Sequence, residues 1–202
     1  MNPAPTAEWP PAPRWSTSYW LNTDHALDLP DLTGRVVLVA AFQMLCPACV
    51  ERTIPQLELA RSVFPAQDVA VIGLHTVFEH HRAMGAESLT AFVHEYGITF
   101  PVGVDAPGVD AEGAGDPVPL TMRRYGMRGT PTLLLIDRAG RLRRHVFGHL
   151  PDLRLGAEVA ALVGEARTAN GGTPGPVAAA GAATATGVGS GGQRCTTEAC
   201  AL

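Results

Sequence analysis

The stretch that most constrains the fold is an apolar run followed at once by two cysteines and a helical segment. The run, Val36 to Phe42, begins with β-branched residues and is typical of a strand buried on both faces. Cys46 and Cys49 come next, and Val50 to Val63 carries apolar residues near the period of a helix. The sequence therefore predicts two thiols at a strand-to-helix junction.

Two thiols in that position favour a reversible dithiol/disulfide exchange. The N-terminal end of a helix stabilises a thiolate through its partial positive charge and unpaired N–H groups. Cys46 is the predicted nucleophile, and Cys49, one turn further on, is the predicted resolving thiol that attacks a mixed disulfide. Zinc binding is the alternative, but it needs two further ligands, for which His75, His80 and His81 are the only nearby candidates.

Bulk composition excludes several classes of protein. The chain has 202 residues, 46% of them hydrophobic, which predicts one domain with appendages or two small domains. A net charge of −4, with no lysine and no cluster of arginines, disfavours nucleic-acid binding. No apolar run reaches about 18 residues, so no membrane span is expected. Residues 1–15 lack the pattern of a secretory signal, which predicts a cytoplasmic protein, where such cysteine pairs are more often catalytic or metal-binding.

Periodicity over the rest of the chain predicts an α/β fold in the order β-α-β-α-β-α-β-β-α. Alternating strands and helices predict a central mixed sheet, parallel at its core, with helices on both faces and a late antiparallel hairpin followed by a helix. The aromatic residues around Trp15 and Trp20 are expected to cover one edge of the domain. The predicted strands are 36–42, 68–75, 98–105, 132–137 and 141–147, and the predicted helices are 47–64, 87–96, 119–125 and 153–166.

Composition also divides the chain into four segments. The first is rich in proline, and the third consists almost entirely of small residues without charge, which is typical of a flexible linker. The predicted segments are an irregular lead-in over 1–14, a domain over 15–168, a linker over 169–192, and a tail over 193–202 that contains Cys195 and Cys200.

These features together resemble the thioredoxin superfamily, in its TlpA/redoxin-like branch. The resemblance covers about residues 30–168 and is carried by the strand–CxxC–helix unit, by Pro55 inside that helix, and by Gly129-Thr130-Pro131 before a hairpin. It implies a thioredoxin-like fold and a thiol-disulfide oxidoreductase that needs no cofactor or metal and acts on protein or small-molecule disulfides and thiols. It also implies that Pro131 is cis and lies, with Thr130, against the CxxC.

The chain departs from that family at three positions. Leu45 stands where a tryptophan is common, and Ala40 stands where thioredoxins place a buried acidic residue. Pro55 follows Cys49 by six residues where the family has five, so this helix is expected to differ locally.

Without a buried acid, two other residues are candidates for proton transfer at the dithiol. Glu51 could replace the missing carboxylate, or it could be a solvated side chain that stabilises the first helical turn. His75 ends a predicted parallel strand, where sites in α/β proteins gather, or it is a hydrogen-bonded structural histidine.

Two other functions remain open from the sequence. Peroxiredoxins need a Thr or Ser three residues before their reactive cysteine and a proline before that, where this chain has Gln43 and Val39. A peroxiredoxin-like peroxide reductase is one alternative, and a thioredoxin-fold module that binds metal through its cysteine pairs is the other.

The second cysteine pair, Cys195 and Cys200, is a candidate relay. A random-coil linker of about 26 residues has a root-mean-square span of about 28 Å, against a radius of gyration of about 15 Å for a compact domain. The tail could therefore reach Cys46 and pass electrons to the CxxC pair. An incidental oxidation-prone tail and a metal-binding tag are the alternatives.

Overall fold

The structure, a computed structural model, describes residues 9–108, 115 and 117–169. The linker expected beyond residue 169 and the tail with Cys195 and Cys200 lie outside the described residues. The strands are β1 (Thr17–Leu21), β2 (Val36–Phe42), β3 (Val69–His75), β4 (Val102–Asp105), β5 (Thr132–Ile136) and β6 (Leu142–Phe147). The helices are a 3-10 turn (Leu29–Leu32), a π-helical segment (Cys49–Thr53), α1 (Ile54–Val63), α2 (Ala86–Glu95), α3 (Leu120–Tyr125) and α4 (Asp152–Ala169).

The six strands form one mixed sheet in the order β1-β4-β3-β2-β5-β6. β2, β3 and β4 are parallel, whereas β5 runs antiparallel to β2, and β6 runs antiparallel to β5. Every residue of β2 and β3 is buried, as expected for central strands covered by helices on both faces. The α/β architecture and the late hairpin predicted from the sequence are confirmed.

Strand β1 is the element that the sequence analysis missed. It pairs antiparallel with β4 at the edge of the sheet, where an aromatic cover without regular structure was expected. Trp20 packs so closely over Gly103 of β4 that a Cβ atom there would lie 2.9 Å from the indole ring. The lack of a side chain at Gly103 thus lets β1 complete this edge.

The sheet separates two hydrophobic clusters. The first contains Leu38, Phe42 and Cys49 and packs β2 against α1, α2 and α4. The second contains Trp15 and Met122 and lies on the opposite face, where α3 packs. The reactive dithiol therefore belongs to the first cluster. Across the described part of the chain, no helix is both long and apolar enough to cross a bilayer.

The described part of the lead-in, residues 9–14, is irregular but held to the domain, and we call it the N-terminal strap. The Ala12 N–H donates to the Gly140 carbonyl oxygen at 2.8 Å, and the Leu142 N–H donates to the Pro10 carbonyl oxygen at 2.9 Å. The strap thus pairs with the turn before β6, at the edge of the sheet opposite to β1.

Candidate active site

The CxxC pair lies just beyond the C-terminal end of β2, where the chain turns into a helix. The Cys46 N–H donates to the Gln43 carbonyl oxygen at 3.2 Å, which closes the turn after the strand. The Cys49 and Val50 N–H groups then donate to the Cys46 carbonyl oxygen at 3.0 and 3.1 Å, so that helical bonding begins at Cys46. This edge, at the carboxyl ends of parallel strands, is where ligand and catalytic sites of α/β proteins are found.

The two sulfur atoms lie side by side as free thiols. The Sγ atoms are 2.6 Å apart, with the Cys49 thiol donating to Cys46 Sγ. The Cys49 backbone N–H also donates to Cys46 Sγ at 3.3 Å, while the Cys46 thiol donates to the Thr130 carbonyl oxygen at 3.6 Å. Cys46 is partly exposed, whereas Cys49 is 0% exposed. The first sulfur is therefore accessible to a substrate and the second is not.

The surroundings of Cys49 keep its thiol protonated at neutral pH. Burial, and next the hydrogen bond to Cys46, raise the pKa of Cys49 to about 12. The Gln43 backbone amide and the Thr130 hydroxyl act in the opposite direction and lower that pKa, but they do not outweigh burial. A reaction through the Cys49 thiolate therefore needs help in removing its proton.

The segment Gly129-Thr130-Pro131 forms the opposite wall of the site. The Thr130–Pro131 peptide bond is cis, as the family resemblance implies. The Thr132 hydroxyl donates to the Gly129 carbonyl oxygen at 2.7 Å, and Gly129 has a φ of 156°, where a Cβ atom would approach the Phe147 ring to 3.1 Å. Glycine at 129 thus lets this wall lie against β6 and present Thr130 to the sulfur atoms.

The helix that carries the cysteines contains one extra residue in a π-helical turn. The Ile54 N–H donates to the Cys49 carbonyl oxygen, five residues back rather than four. This widened turn takes up the additional residue between Cys49 and Pro55, so that α1 continues in ordinary register. The local difference that we expected in this helix is present, and it begins at the second cysteine.

Neither candidate for proton transfer is brought to the sulfur atoms. Glu51 lies exposed on the π-helical segment. His75 is 1% exposed and packs on Phe42, with ring centroids 5.4 Å apart, and burial lowers its pKa to about 4. Within the described ranges, neither residue forms a hydrogen bond with Cys46 or Cys49.

The sequence analysis missed Gln43 as a site residue and used it only as a departure from peroxiredoxins. Its side chain is 2% exposed, and its Oε1 accepts a bond from the Thr130 hydroxyl at 3.5 Å. Its Nε2 is buried without a hydrogen-bond partner. The available signal was a polar residue between the apolar strand and the first cysteine.

The metal-binding alternative requires a cluster of ligating side chains. Among the residues that the structure describes, no group of three or more His, Cys, Asp or Glu side chains is placed to hold an ion. His80 and His81 lie exposed in the loop after β3.

Proteins of known structure resemble this chain both in sequence and in fold. No family model matches the chain. The crystal structure of the thioredoxin-like superfamily protein SPOA0173 is 55% identical and has a TM-score of 0.71, over 76% of this chain and 96% of that one. A thiol-disulfide isomerase from Corynebacterium glutamicum is 42% identical with a TM-score of 0.69, over 75% of this chain and 96% of that one.

A curated protein points in the same direction. The thiol-disulfide oxidoreductase ResA of Halalkalibacterium halodurans is 28% identical over 119 residues, which are 58% of this chain. The match spans 56% of the length of ResA, just over half of that curated relative. With two structural relatives covered almost in full, and a CxxC pair facing Thr130-Pro131, the chain belongs to the thioredoxin-like superfamily and, within it, to the thiol-disulfide oxidoreductases.

Proposed function

We propose that Cys46 attacks substrate disulfides and that Cys49 resolves the resulting mixed disulfide. The observation that carries this assignment is the difference in exposure between two sulfur atoms 2.6 Å apart. A substrate can approach Cys46, while Cys49 is held behind it, in position to attack only Cys46.

The exchange then proceeds in two balanced steps. The Cys46 thiolate attacks one sulfur of a substrate disulfide, forms a mixed disulfide with it, and expels the other sulfur as a thiolate. Cys49 loses its proton and attacks Cys46 Sγ, which forms the Cys46–Cys49 disulfide and expels the second substrate thiolate, to which that proton can pass. Two electrons move from the protein dithiol to the substrate, and the reverse sequence oxidises a substrate dithiol.

We further propose that the substrates include disulfides in polypeptides. Leu45, directly before the nucleophile, is 57% exposed, and Phe147, which packs against Gly129, is 49% exposed. Exposed apolar side chains next to Cys46 and at the Gly129 wall favour contact with the apolar residues of an extended chain. No observation in the described residues favours peroxide reduction or metal binding over this exchange.

Single substitutions test the two roles. Cys46→Ser should abolish the reduction of insulin disulfides, because no sulfur remains within reach of the substrate. Cys49→Ser should accumulate mixed disulfides on Cys46, seen by mass spectrometry as adducts removable with dithiothreitol. Ala48→Ser, which adds a hydroxyl at an exposed position between the two, serves as the matched control. Full turnover by Cys49→Ser would contradict the resolving role.

We also propose that Cys195 and Cys200, outside the described residues, relay electrons to the CxxC pair. Replacing both by serine should slow the reduction of the Cys46–Cys49 disulfide by glutathione about tenfold or more, since an attached dithiol acts at high effective concentration. Stopped-flow measurements beside a Thr196→Ser control give the comparison. If the double serine variant and the parent were reduced at equal rates, both by glutathione and by dithiothreitol, the relay would be contradicted.

The cytoplasmic location stays a prediction from the sequence.

A further inference from the structure

We propose that Gln43 is a positioning residue, whose side-chain amide turns the Thr130 hydroxyl toward Cys49 and so stabilises the Cys49 thiolate while it attacks Cys46. This inference rests on the proposed function, because it concerns the second, resolving step of that exchange. It assigns to Gln43 and Thr130 a task that thioredoxins give to a buried carboxylate, whose position here is Ala40.

The resolving step has a specific requirement that this site must meet. Cys49 is fully buried, and its thiolate would lie in a medium that solvates charge poorly. In the part of the chain that the structure describes, no acidic side chain is hydrogen-bonded to Cys49. Once Cys46 is in a mixed disulfide, Cys49 also loses the thiolate partner that could accept its proton. Neutral hydrogen-bond donors are the remaining means of stabilising the charge.

Gln43 supplies one such donor and contacts a second, the Thr130 hydroxyl. Its backbone amide acts on Cys49, and its side-chain Oε1 lies 3.5 Å from the Thr130 hydroxyl oxygen. The side chain is 2% exposed, so no solvent competes for it, and its Nε2 has no hydrogen-bond partner. Because its other end has no partner, the amide can present either its oxygen or its nitrogen to Thr130 without losing a second hydrogen bond.

A half-turn of the Gln43 amide reverses the direction of its hydrogen bond with Thr130. The oxygen and nitrogen of an amide occupy nearly equivalent positions, so rotation about the Cγ–Cδ bond exchanges them without a change in packing. Nε2 then donates to the Thr130 hydroxyl oxygen, and the single hydroxyl proton of Thr130 is free to donate to Cys49 Sγ. The bonds form a continuous chain from Nε2 through the hydroxyl to the thiolate, with Nε2 in place of Oε1 as the paired end of the amide. The amide does not itself take up the proton, which passes to the departing substrate thiolate.

The same geometry explains why the orientation in the structure suits the reduced resting state. There the Cys49 thiol donates to Cys46 Sγ and needs no donor from Thr130. The Thr130 hydroxyl can then donate to Gln43 Oε1, as observed at 3.5 Å. The length of this bond indicates a weak contact, which is readily exchanged for a charge-assisted bond to the thiolate.

The test uses 5,5′-dithiobis(2-nitrobenzoate) with the full chain carrying Cys195→Ser and Cys200→Ser, so that only the CxxC pair reacts. Attack by Cys46 releases a first nitrothiobenzoate, and resolution by Cys49 releases a second, both followed by stopped-flow absorbance. The rate of the second phase is measured against pH. In that phase Cys46 is held in the mixed disulfide and both tail cysteines are replaced, so Cys49 is the one thiol left to ionise.

Gln43→Met and Thr130→Val each preserve side-chain size and remove the polar link. In the mixed disulfide the contacts with the Cys46 thiol that raise the pKa of Cys49 are absent, so the midpoint lies below that of the reduced protein. Both variants should raise this midpoint by about one unit, which is about tenfold in rate below the midpoint. Thr130→Ser should keep the parent midpoint, and the double variant should match the single ones, because both residues act through one hydroxyl.

A midpoint that does not move in either single variant would overturn the inference, even if the second phase were slower, since misplacement of the sulfur atoms alone changes rate without changing the midpoint. If Gln43→Met does not fold, Gln43→Leu replaces it, because the Thr130 variants test the hydroxyl alone. Failure of the proposed function looks different, because the parent protein itself would then release no second nitrothiobenzoate.

Discussion

At the scale of single residues, the two cysteines of the site have different environments although they are one helical turn apart. Cys46 is partly exposed, and its Sγ accepts a hydrogen bond from the Cys49 N–H at 3.3 Å. Cys49 is 0% exposed, and its pKa is raised to about 12. Access to substrate and loss of a proton are thus separated between the two sulfur atoms. The resolving step therefore depends on the few polar groups that reach Cys49.

His75 should make the stability of the protein depend on pH. Burial lowers the pKa of His75 from 6.5 to about 4. Between pH 6.5 and 4 the unfolded chain therefore binds a proton at this histidine that the folded chain does not bind. Stability is then fully present above pH 6.5 and is lost as the pH falls toward 4, by up to about 3 kcal/mol. Urea denaturation at pH 7.5, 6, 5 and 4 should show this loss, and His75→Phe, which keeps a ring against Phe42, should remove much of it.

An exposed histidine supplies the control for that measurement. The side chain of His94 is 84% exposed, so His94→Gln should leave the dependence on pH as it is in the parent protein. If His75→Phe and the parent lost stability equally between pH 6.5 and 4, the histidine would not be the source of the effect.

The sequence predicted some site residues and missed another for a physical reason. Cys46, Cys49, Thr130 and Pro131 belong to short local patterns, and the structure brings all four together. Gln43 belongs to no such pattern, and its contact with Thr130 joins positions 87 residues apart. Only the folding of β5 beside β2 places them together, so the sequence alone gave no measure of their distance.

At the scale of secondary structure, the π-helical segment is the feature that most distinguishes this site. Five residues, Cys49 to Thr53, take this form, and regular α-helix resumes at Ile54. An extra residue inserted into a regular helix would rotate everything after it by about 100°. The widened turn confines the insertion to these five residues and leaves the buried face of α1, including Leu57, against the sheet.

Removing one residue from this segment should consequently be tolerated. Deleting Arg52, which is exposed, should convert the π turn into ordinary helix and keep α1 in register. We expect a melting temperature within about 5 °C of the parent value, or roughly 2 kcal/mol or less. Circular dichroism melts measure this, and the insulin assay shows whether the dithiol still works.

A deletion in the regular helix gives the contrast. Leu59 of α1 is also exposed, at 50%, but its loss would rotate the buried Ala60 and the end of the helix away from the core. We expect a stability loss greater than about 2 kcal/mol, since burial of the helix face is broken. Equal effects of the two deletions would mean that the π turn does not absorb the additional residue.

The elements themselves were predicted well where periodicity was strong and poorly where it was weak. The continuous apolar runs of β2 and β3 leave little choice, because only a strand buried on both faces fits them. β1 has five residues of mixed exposure, and its strand form depends on pairing with β4, which is 80 or more residues away in the chain. Such an edge strand is specified by its partner rather than by its own pattern.

At the scale of the whole domain, the two faces of the sheet have separate tasks. The face covered by α1, α2 and α4 holds the dithiol, whereas the other face holds α3 and the chain that leads from the N-terminal strap to β1. The strap pairs beside β6 at one edge of the sheet, and β1 lies at the other, so this short stretch crosses the face between them. The Tyr125 hydroxyl of α3 donates to the Pro13 carbonyl oxygen and so holds this crossing segment against α3.

The sequence predicted only an irregular segment over 1–14, because five prolines and few apolar residues indicate neither helix nor strand. The contacts that hold the described part use backbone carbonyl groups, which proline keeps although it lacks an N–H. Pro10 and Pro13 both accept hydrogen bonds from the domain. No sequence pattern reports such acceptors, since they depend on which donors the folded domain leaves nearby.

Trp15, directly after the N-terminal strap, should contribute to stability rather than to exchange. It is 7% exposed in the second cluster, and its indole N–H donates to the Leu27 carbonyl oxygen at 2.6 Å. Trp15→Ala should cost about 3–5 kcal/mol, as expected for a large cavity and an unpaired acceptor. Below the melting transition, its rate of insulin reduction per folded molecule should stay within about twofold of the parent, because a packed sheet lies between Trp15 and the dithiol.

Trp9 of the same strap is the matched control, since it is 41% exposed and only stacks under the Arg143 guanidinium, 5.1 Å from the ring centroid. Trp9→Ala should cost less than about 1 kcal/mol, which is the usual size of an exposed cation–π contact. Urea denaturation gives the two stabilities, and the insulin assay in the native range gives the two rates. If Trp15→Ala slowed exchange tenfold in fully folded protein, the sheet would be transmitting a change in packing from one face to the other, and the separation of tasks between the faces would be wrong.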